Sequence, residues 1–229
     1  KDLRKLLEKE GIAIHTDAKV LSVEKKGGKA SVNVEMNGKT QAFSADKVLV
    51  AVGRRTDTAG LGLDAQGIQN DRGRITVDEH MQTSKPDVYA IGDCVGQVLL
   101  AHVASAMGEV AAEHALGHQA SYDGRTNASC VYTTHEFAGT GYTEEELKAK
   151  KIAYKAGLFP LVGNAKSLIE NGGVGQIKVL CGEEFGEILG VHILGPRATD
   201  LIAEAALMIG MEATVDEVIA TIHAHPTVS

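Results

Sequence analysis

The sequence predicts a mixed architecture, α/β in the first half of the chain and α+β in the second. Residues 48–52 form an unbroken apolar run that stops at Gly53, which is typical of a strand buried on both faces of a parallel sheet. An apolar stripe over residues 100–116 predicts one long helix. After Ser121, strand-like segments are followed by two helical patterns, and this order indicates helices packed on an antiparallel sheet.

Length and composition describe a globular protein of one large or two small domains. The 229 residues are 44% hydrophobic and 23% charged, with 26 Gly and only 4 Pro, which excludes a disordered or collagen-like chain. A formal net charge of −7 repels phosphate groups. We therefore expect neither nucleic acid nor an anionic membrane surface as a partner.

The sequence predicts no membrane span, no secretory signal and no metal site. No apolar run approaches the roughly 18 residues that a membrane-spanning helix needs, and the N-terminal segment is too charged for a signal peptide. Cys94, Cys130 and Cys181 lie far apart, which favours free thiols over a local disulfide or a metal knuckle. We expect a cytoplasmic protein. Because the chain opens at Lys1 inside a helical pattern, we also expect it to be part of a longer protein.

The first fifty residues predict a short helix and a β-meander. Leu3, Leu6 and Leu7 share one face of a charged helix that Gly11 can end, because glycine readily adopts the left-handed conformation after a helix. Turn signals, including the hairpin pair Asn37-Gly38, then separate four strand-like segments. These segments are residues 12–14, 18–23, 31–36 and 41–43.

Apolar spacing and capping residues define the later elements. A loop-rich stretch leads to a second apolar run, residues 88–91, which ends at Gly92-Asp93, and Gly117 ends the long helix that follows. Capping boxes at Thr143 and Thr214 each open a helix. The remaining expected elements are strands over residues 130–134, 176–180 and 188–194 and a helix over residues 198–209.

The segment from Gly60 to Ala65 matches the GxGxxA spacing of nucleotide-binding loops. We do not interpret it as such a loop, because that fingerprint works only where a strand turns directly into a helix whose first N–H groups meet a pyrophosphate. Here the spacing falls within a loop between turn signals. It indicates glycine richness alone.

Asp93 is a better candidate for ligand binding. An acidic residue directly after an apolar strand and Gly92 can accept a hydrogen bond from a ligand hydroxyl, although it can equally cap the next turn. The N-terminus of the helix that starts near Leu100 carries a partial positive charge that can stabilise an anionic ring. His102 lies in the first turn of that helix, where a protonated imidazole opposes the dipole, so its backbone or a neutral ring fits better than acid-base chemistry.

The segment from His223 to Thr227 has the strongest chemical character. Pro226 disfavours helical backbone at His225, so this imidazole is held on an extended or turning segment, with the fixed position that a general base needs. A general base also needs an orienting carboxylate, and no Asp or Glu follows it in the sequence. Metal binding by the two histidines is not expected, since no third ligand with suitable spacing lies nearby.

Four motifs in this order resemble a known family. They are VLVAVGRRTDT (48–58), VYAIGDCVGQVLLAHVA (88–104), ILGVHILGPRATDLIAEAALMI (188–209) and IHAHPTVS (222–229). Together they are similar to the C-terminal half of the dihydrolipoamide dehydrogenases, which belong to the pyridine-nucleotide disulfide oxidoreductases, a family of FAD-containing homodimers. The resemblance covers essentially the whole chain, and the ordered set is far more specific than any single motif.

The resemblance implies particular roles for the candidate residues. Gly53 would end a strand near the nicotinamide nucleotide, and Gly92 with Asp93 would bind the ribityl chain of FAD. The start of the long helix would lie at the pyrimidine edge of the flavin, mainly through its backbone, at Leu99, Leu100, Ala101 and His102.

By the same resemblance, His225 would be the acid-base residue. It would cross the dimer interface and accept a proton from the dithiol substrate in the active site of the partner subunit. Such a base is useful because a thiolate attacks a disulfide far faster than a thiol does.

The chain departs from the family pattern at three places. The redox cysteine pair and the dinucleotide fingerprints belong to the part of the family that precedes this chain. The glutamate that orients the histidine would be the residue after Ser229. Thr134-His135-Glu136 stands where the family usually shows Thr-x-Pro-Glu, so we expect a differently shaped loop there.

In family terms, residues 1–53 would end an NAD-binding domain, residues 54–118 would be a central, FAD-contacting segment, and residues 119–229 an interface domain. The implied parent reoxidises dihydrolipoamide with FAD and NAD, as a homodimer that serves the lipoyl-bearing acyltransferase of a 2-oxo-acid dehydrogenase complex. The chain alone is expected to be inactive and to leave residues 48–52 exposed, rearranged or covered by another chain. Two alternatives stay open, namely a sister reductase such as glutathione reductase and a cofactor-free dimerisation module.

Overall fold

The computed structural model describes the backbone of residues 1–229 and every side chain except that of Lys26. The chain divides into two compact units, Lys1–Arg55 and Thr56–Ser229. The three-part division implied by the resemblance stays a prediction.

The first unit consists of a helix and a three-stranded antiparallel meander. The helix α1 spans Asp2–Lys9, and the strands β1 (Lys19–Lys26), β2 (Lys29–Met36) and β3 (Lys39–Ala45) lie in the order β1-β2-β3. Asn37 and Gly38 adopt φ angles of +50° and +71°, the left-handed conformations that a two-residue hairpin requires. The predicted helix and meander are therefore confirmed.

The prediction of a strand at residues 12–14 is wrong. The backbone N–H of Ile12 donates to the carbonyl of Leu7 at 3.1 Å, and Gly11 has a φ of +91°. This geometry closes the C-terminus of α1, so the N–H of Ile12 is used by the helix end and not by a neighbouring strand.

The prediction of a strand at residues 48–52 is also wrong, because these described residues take no part in any sheet. A strand needs a neighbour whose backbone groups complete its hydrogen bonds. Leu49 and Val52 are 89% and 90% exposed. The expectation that this apolar run lies exposed is confirmed.

The second unit begins with a loop-rich region that supports one long helix. A short hairpin of β4 (Asn70–Asp71) and β5 (Arg74–Ile75) precedes the helix α2, Ala101–Ala115, which confirms the predicted helix. Its buried face packs on Met81 through Val103, Met107 and Ala111.

Residues 88–91 do not form the predicted strand and contribute only an isolated bridge between Tyr89 and Gln82. The N–H of Ala90 donates to the carbonyl of Met81 at 3.1 Å. The run thus pairs only locally with the preceding loop, too briefly to make a sheet.

The rest of the second unit is an antiparallel sheet covered by helices, as predicted. Five strands lie in the order β6-β7-β10-β9-β8, and α5 packs on β7 and β10. The strands are β6 (Ser129–Val131), β7 (Phe137–Gly141), β8 (Tyr154–Pro160), β9 (Gln176–Gly182) and β10 (Ile188–Leu194), and the helices are α3 (Glu144–Lys150), α4 (Ala165–Asn171), α5 (Ala198–Gly210) and α6 (Val215–Ala220).

Both predicted capping boxes are present. The backbone N–H groups of Thr143 and Thr214 donate to the carboxylates of Glu146 and Glu217 at 2.8 and 2.7 Å. These hydrogen bonds lower the pKa of both glutamates, because they stabilise the ionised form. Among the described residues, none of these helices combines the length and apolar character needed to cross a membrane.

Candidate functional site

The turn that carries Asp93 is packed tightly against α2. Gly92 is buried with a φ of +67°, and a Cβ at this position would lie 2.9 Å from the Cβ of Ala104. The N–H of Gly92 points at the sulfur of Met107 at 3.3 Å. Glycine therefore lets the turn approach the helix closely, and Asp93 follows with an exposed side chain in a short 3-10 helix, Gly92–Cys94.

The helix α2 begins within ten residues of this turn in the sequence, and no side chain caps its N-terminus. Leu100 occupies the N-cap position with an extended backbone, and no acidic residue lies in the first turn of the helix. Leu99 and Leu100 are half-buried, whereas Ala101 and His102 are exposed. The positive end of the helix is thus not neutralised by its own side chains and suits an anionic group.

His102 has a structural contact through its side chain. The ring nitrogen Nε2 lies 2.9 Å from the carbonyl oxygen of Ala128, which can only accept, so Nε2 carries the proton and donates. This bond ties the first turn of α2 to the segment that leads into β6. A ligand at this helix end would meet the backbone of His102, as the sequence indicates.

The chemistry of these residues fits a flavin. A negatively charged ring edge needs donors and a positive potential, which the uncapped start of α2 provides, and a ribityl hydroxyl needs an acceptor such as the exposed carboxylate of Asp93. Gly92 brings the two features together through its contact with α2. Gly60 and Gly62, by contrast, precede only a three-residue 3-10 helix, Asp64–Gln66, in agreement with the rejection of that motif.

Gly53 lies in the first unit. It has a φ of +108°, and a Cβ built on it would meet no atom within 4 Å. The conformation suits glycine, and the assignment of Gly53 to the nicotinamide nucleotide stays a prediction.

The C-terminal segment is fixed on both sides of His225. Asn164, at the N-cap of α4, donates to the carbonyl of Thr227 at 3.0 Å, and the side chain of Val228 is only 6% exposed. On the other side, Nε2 of His223 lies 2.6 Å from a carboxylate oxygen of Glu204 on α5. The side chain of His225 is nevertheless exposed, so its segment is anchored while its imidazole faces solvent.

His223 has a hydrogen-bond partner at each ring nitrogen. Its Nδ1 faces the carbonyl of Thr221 at 3.1 Å and its Nε2 faces Glu204, so both ring nitrogens point at acceptors. These two hydrogen bonds, first that to Glu204, raise the pKa of His223 above its ordinary value. Among the described side chains, no group of three or more metal-ligating residues is placed to hold a metal ion.

Two residues that anchor the C-terminal segment could not be predicted from the sequence. Glu204 lies 19 positions before His223, and Asn164 lies 63 positions before Thr227, so no local spacing indicates either contact. In the sequence, Glu136 is conspicuous only as part of a departure from a family motif. In the structure its carboxylate accepts from the N–H and hydroxyl of Thr199 at 3.0 and 2.7 Å and so caps the first turn of α5.

Family comparisons match nearly the whole chain. Residues 1–108 match the family described as pyridine nucleotide-disulphide oxidoreductase, and residues 127–229 match the dimerisation domain of the same family.

Several curated relatives carry one name. The chain is 46% identical to a dihydrolipoyl dehydrogenase of Thermus scotoductus over 99% of its length and 50% of the relative. It is 40% identical to that of Bacillus subtilis, over 100% of the chain and 49% of the relative. The mitochondrial enzyme of Homo sapiens is 38% identical, over 100% of the chain and 46% of the relative. The chain thus spans about half the length of these relatives.

Solved structures agree with the fold. LpdA from Mycobacterium tuberculosis superposes with a TM-score of 0.90 at 31% identity, over 99% of this chain and 49% of that one. An HOCl-induced flavoprotein disulfide reductase, RclA from Escherichia coli, superposes with a TM-score of 0.84 at 20% identity, over 99% and 52% of the two chains. At that identity the second likeness concerns the fold alone.

Proposed function

Because the chain belongs to the pyridine nucleotide-disulphide oxidoreductases, we propose that it forms the C-terminal half of a flavoprotein that oxidises dihydrolipoamide and passes the electrons through FAD to NAD. The observation that carries this proposal is the match, along essentially the whole chain, to bacterial and mitochondrial dihydrolipoyl dehydrogenases. The reaction converts a dithiol and NAD⁺ into a disulfide, NADH and a proton.

The chain contributes to flavin binding through the turn at Gly92 and the start of α2. In this proposal Asp93 accepts a hydrogen bond from the ribityl chain, and the first backbone N–H groups of α2 face the pyrimidine edge. When bound, FAD would supply the two-electron redox chemistry that links the sulfur groups to NAD. Gly53 is assigned to the neighbourhood of the nicotinamide nucleotide.

His225 takes the proton that a thiol of dihydrolipoamide must lose before it attacks as a thiolate. The exposed imidazole and the anchored backbone around it support this role, because a general base must be accessible and must hold a fixed position. In the proposed homodimer, His225 acts in the active site of the partner subunit.

Exposed apolar side chains in the second unit support a homodimer. Leu207 and Met211 on and after α5, and Ile219 and Ile222 on and after α6, are between 63% and 97% exposed. Apolar residues exposed so close in sequence to the anchored C-terminal segment are typical of a protein interface. Sedimentation equilibrium at micromolar concentration tests the point, and a monomer would contradict it.

The substrate carrier is proposed to be the lipoyl-bearing acyltransferase of a 2-oxo-acid dehydrogenase complex, and the location is proposed to be the cytoplasm. For the chain alone, we propose a dimer-forming module without turnover. Addition of FAD with detection of a bound flavin spectrum tests whether the chain alone retains the cofactor.

The full-length protein provides the decisive assay of substrate. We expect NAD-dependent oxidation of dihydrolipoamide, with little reduction of oxidised glutathione by NADH or NADPH. A preference for glutathione would favour a sister disulfide reductase, and inactivity with both substrates would contradict the proposal.

A further inference from the structure

One ion pair of the second unit ties the segment that carries His225 to a helix. Nε2 of His223 lies 2.6 Å from a carboxylate oxygen of Glu204, which belongs to α5. His225 follows His223 by two positions in the sequence. Because two extended residues span only about 7 Å, the two imidazoles are carried by the same short stretch of backbone.

The helix α5 is a rigid support for Glu204. Ala198, Ile202, Ala205 and Ile209 on this helix are buried in the core against the five-stranded sheet. Glu204 itself is half-buried, directly before Ala205. A side chain on a packed helix holds its position more exactly than one on a loop. The carboxylate of Glu204 is therefore a fixed point for the segment that it contacts.

The segment around His225 depends on side chains to hold it in place. Among the described residues, no backbone–backbone hydrogen bond involves residues 222–228. The side chain of Asn164 donates to the carbonyl of Thr227 at 3.0 Å and so holds the segment after His225. Glu204 holds it on the other side, before His225.

The exposure of the ion pair makes its effect local. The side chains of His223 and Glu204 are 30% and 40% exposed. Ion pairs that are this open to solvent add little to global stability, because water screens the two charges. What the pair does is limit the movement of one short segment relative to α5.

A fixed position matters for the step assigned to His225. A general base must lie within hydrogen-bond reach of the proton that it accepts, and a misplacement of about 1 Å can cost about 100-fold in rate. Reduction of a dye by NADH through the flavin involves no thiol, so it does not require the imidazole. A residue that only positions His225 should therefore affect the thiol reaction alone.

We propose that Glu204 is a positioning residue for His225, which it holds through His223 so that the imidazole meets a thiol of the substrate. This inference rests on the proposed function of His225 as the base. Glu204 touches no reacting group in this arrangement, and it acts on proton transfer only by fixing the backbone before the base.

Two activities of the full-length protein test the proposal. In Glu204→Ala, kcat/KM for oxidation of dihydrolipoamide by NAD should fall about tenfold, less than the cost of a full 1 Å misplacement. Reduction of a dye by NADH should be unchanged, which also shows that the variant is folded and holds the flavin. Glu204→Gln keeps an oxygen that can accept from Nε2 of His223, so it should recover most of the lost rate.

A matched control and a second variant of the pair complete the single substitutions. Asp200→Asn removes a carboxylate from an exposed position one turn earlier on α5, and it should leave both activities unchanged. His223→Ala removes the other partner of the ion pair, so it should reproduce the losses of Glu204→Ala.

A double variant separates positioning from a merely structural effect. If Glu204 acts through His225, its removal has nothing left to disturb once the base is gone. In the His225→Gln background, Glu204→Ala should therefore cause no further loss of dihydrolipoamide oxidation. Independent structural damage would instead multiply the two single losses.

The failure of this proposal can be distinguished from that of the proposed function. Unchanged dihydrolipoamide oxidation in Glu204→Ala, equal losses of both activities in that variant, or multiplied losses in the double variant would each overturn the positioning role alone. Full dihydrolipoamide oxidation in His225→Gln would overturn the base itself, and the positioning role with it.

Discussion

Replacing Gly92 by alanine should disrupt the contact between α2 and the turn that carries Asp93. Gly92 has a φ of +67°, and the new Cβ would lie 2.9 Å from the Cβ of Ala104, well inside the roughly 3.5–4.0 Å of an ordinary carbon contact. The left-handed conformation costs an alanine about 1–2 kcal/mol, and overpacking adds about 1–3 kcal/mol. We therefore expect the free energy of unfolding to fall by about 2–5 kcal/mol.

Urea unfolding followed by far-ultraviolet circular dichroism measures this loss. Gly67→Ala is the matched control, because Gly67 has nearly the same φ, +70°, but an added Cβ would meet nothing within 4 Å. In Gly67→Ala, the free energy of unfolding should fall only by the conformational cost, about 1–2 kcal/mol. The difference between the two variants then isolates the packing cost against α2.

The double variant Gly92→Ala/Ala104→Gly provides an independent check. Ala104→Gly alone should cost about 1 kcal/mol for a glycine inside a helix. In the double variant the steric overlap is gone, so the total loss should be smaller than the sum of the single losses by at least about 1 kcal/mol. Equal losses in Gly92→Ala and Gly67→Ala, or strict additivity in the cycle, would refute the close contact.

Three further predictions follow from the contacts in the second unit. Glu136→Ala removes the carboxylate that caps α5 at Thr199, so urea unfolding should show a loss of about 1–2 kcal/mol, and no loss would contradict the cap. In an NMR titration, His223 should have a pKa above 6.5 that falls when Glu204→Gln removes its partner; the stability from this pair is present below the unfolded pKa and is lost as the pH rises through the folded pKa. Burial of the imidazole lowers the pKa of His192, and the positive charge of Lys178 lowers it further. The free energy of unfolding should therefore decrease as the pH falls below about 6.5, the pKa of a histidine in the unfolded chain. His192→Gln should flatten this pH dependence.

Local signals in the sequence predicted the local structure well. The capping boxes at Thr143 and Thr214, the Asn37-Gly38 hairpin and the helix after Leu100 each depend on residues a few positions apart. The close packing of the Gly92 turn on α2 also involves residues near one another in sequence, and its role in flavin binding stays a prediction.

Features that depend on distant partners were not predictable from the sequence. Residues 48–52 have the pattern of a buried strand, but a strand requires neighbours and forms none here. β7 and β8 contain glycines that weaken their strand signal, and α4 has only seven residues. The anchor of His223 on Glu204 arises from tertiary packing, for which the spacing of residues gives no signal.

The most direct test of the central claim is a pair of activities measured on the full-length protein carrying His225→Gln. Oxidation of dihydrolipoamide by NAD should fall about 100- to 10,000-fold, the usual effect of losing a general base. NADH-dependent reduction of an artificial dye through the flavin should persist, because it needs no proton transfer from a thiol. His118→Gln, at an exposed histidine outside the proposed site, should leave both activities intact. Full dithiol oxidation in His225→Gln, or parallel loss of both activities, would contradict the assignment of His225 as the base.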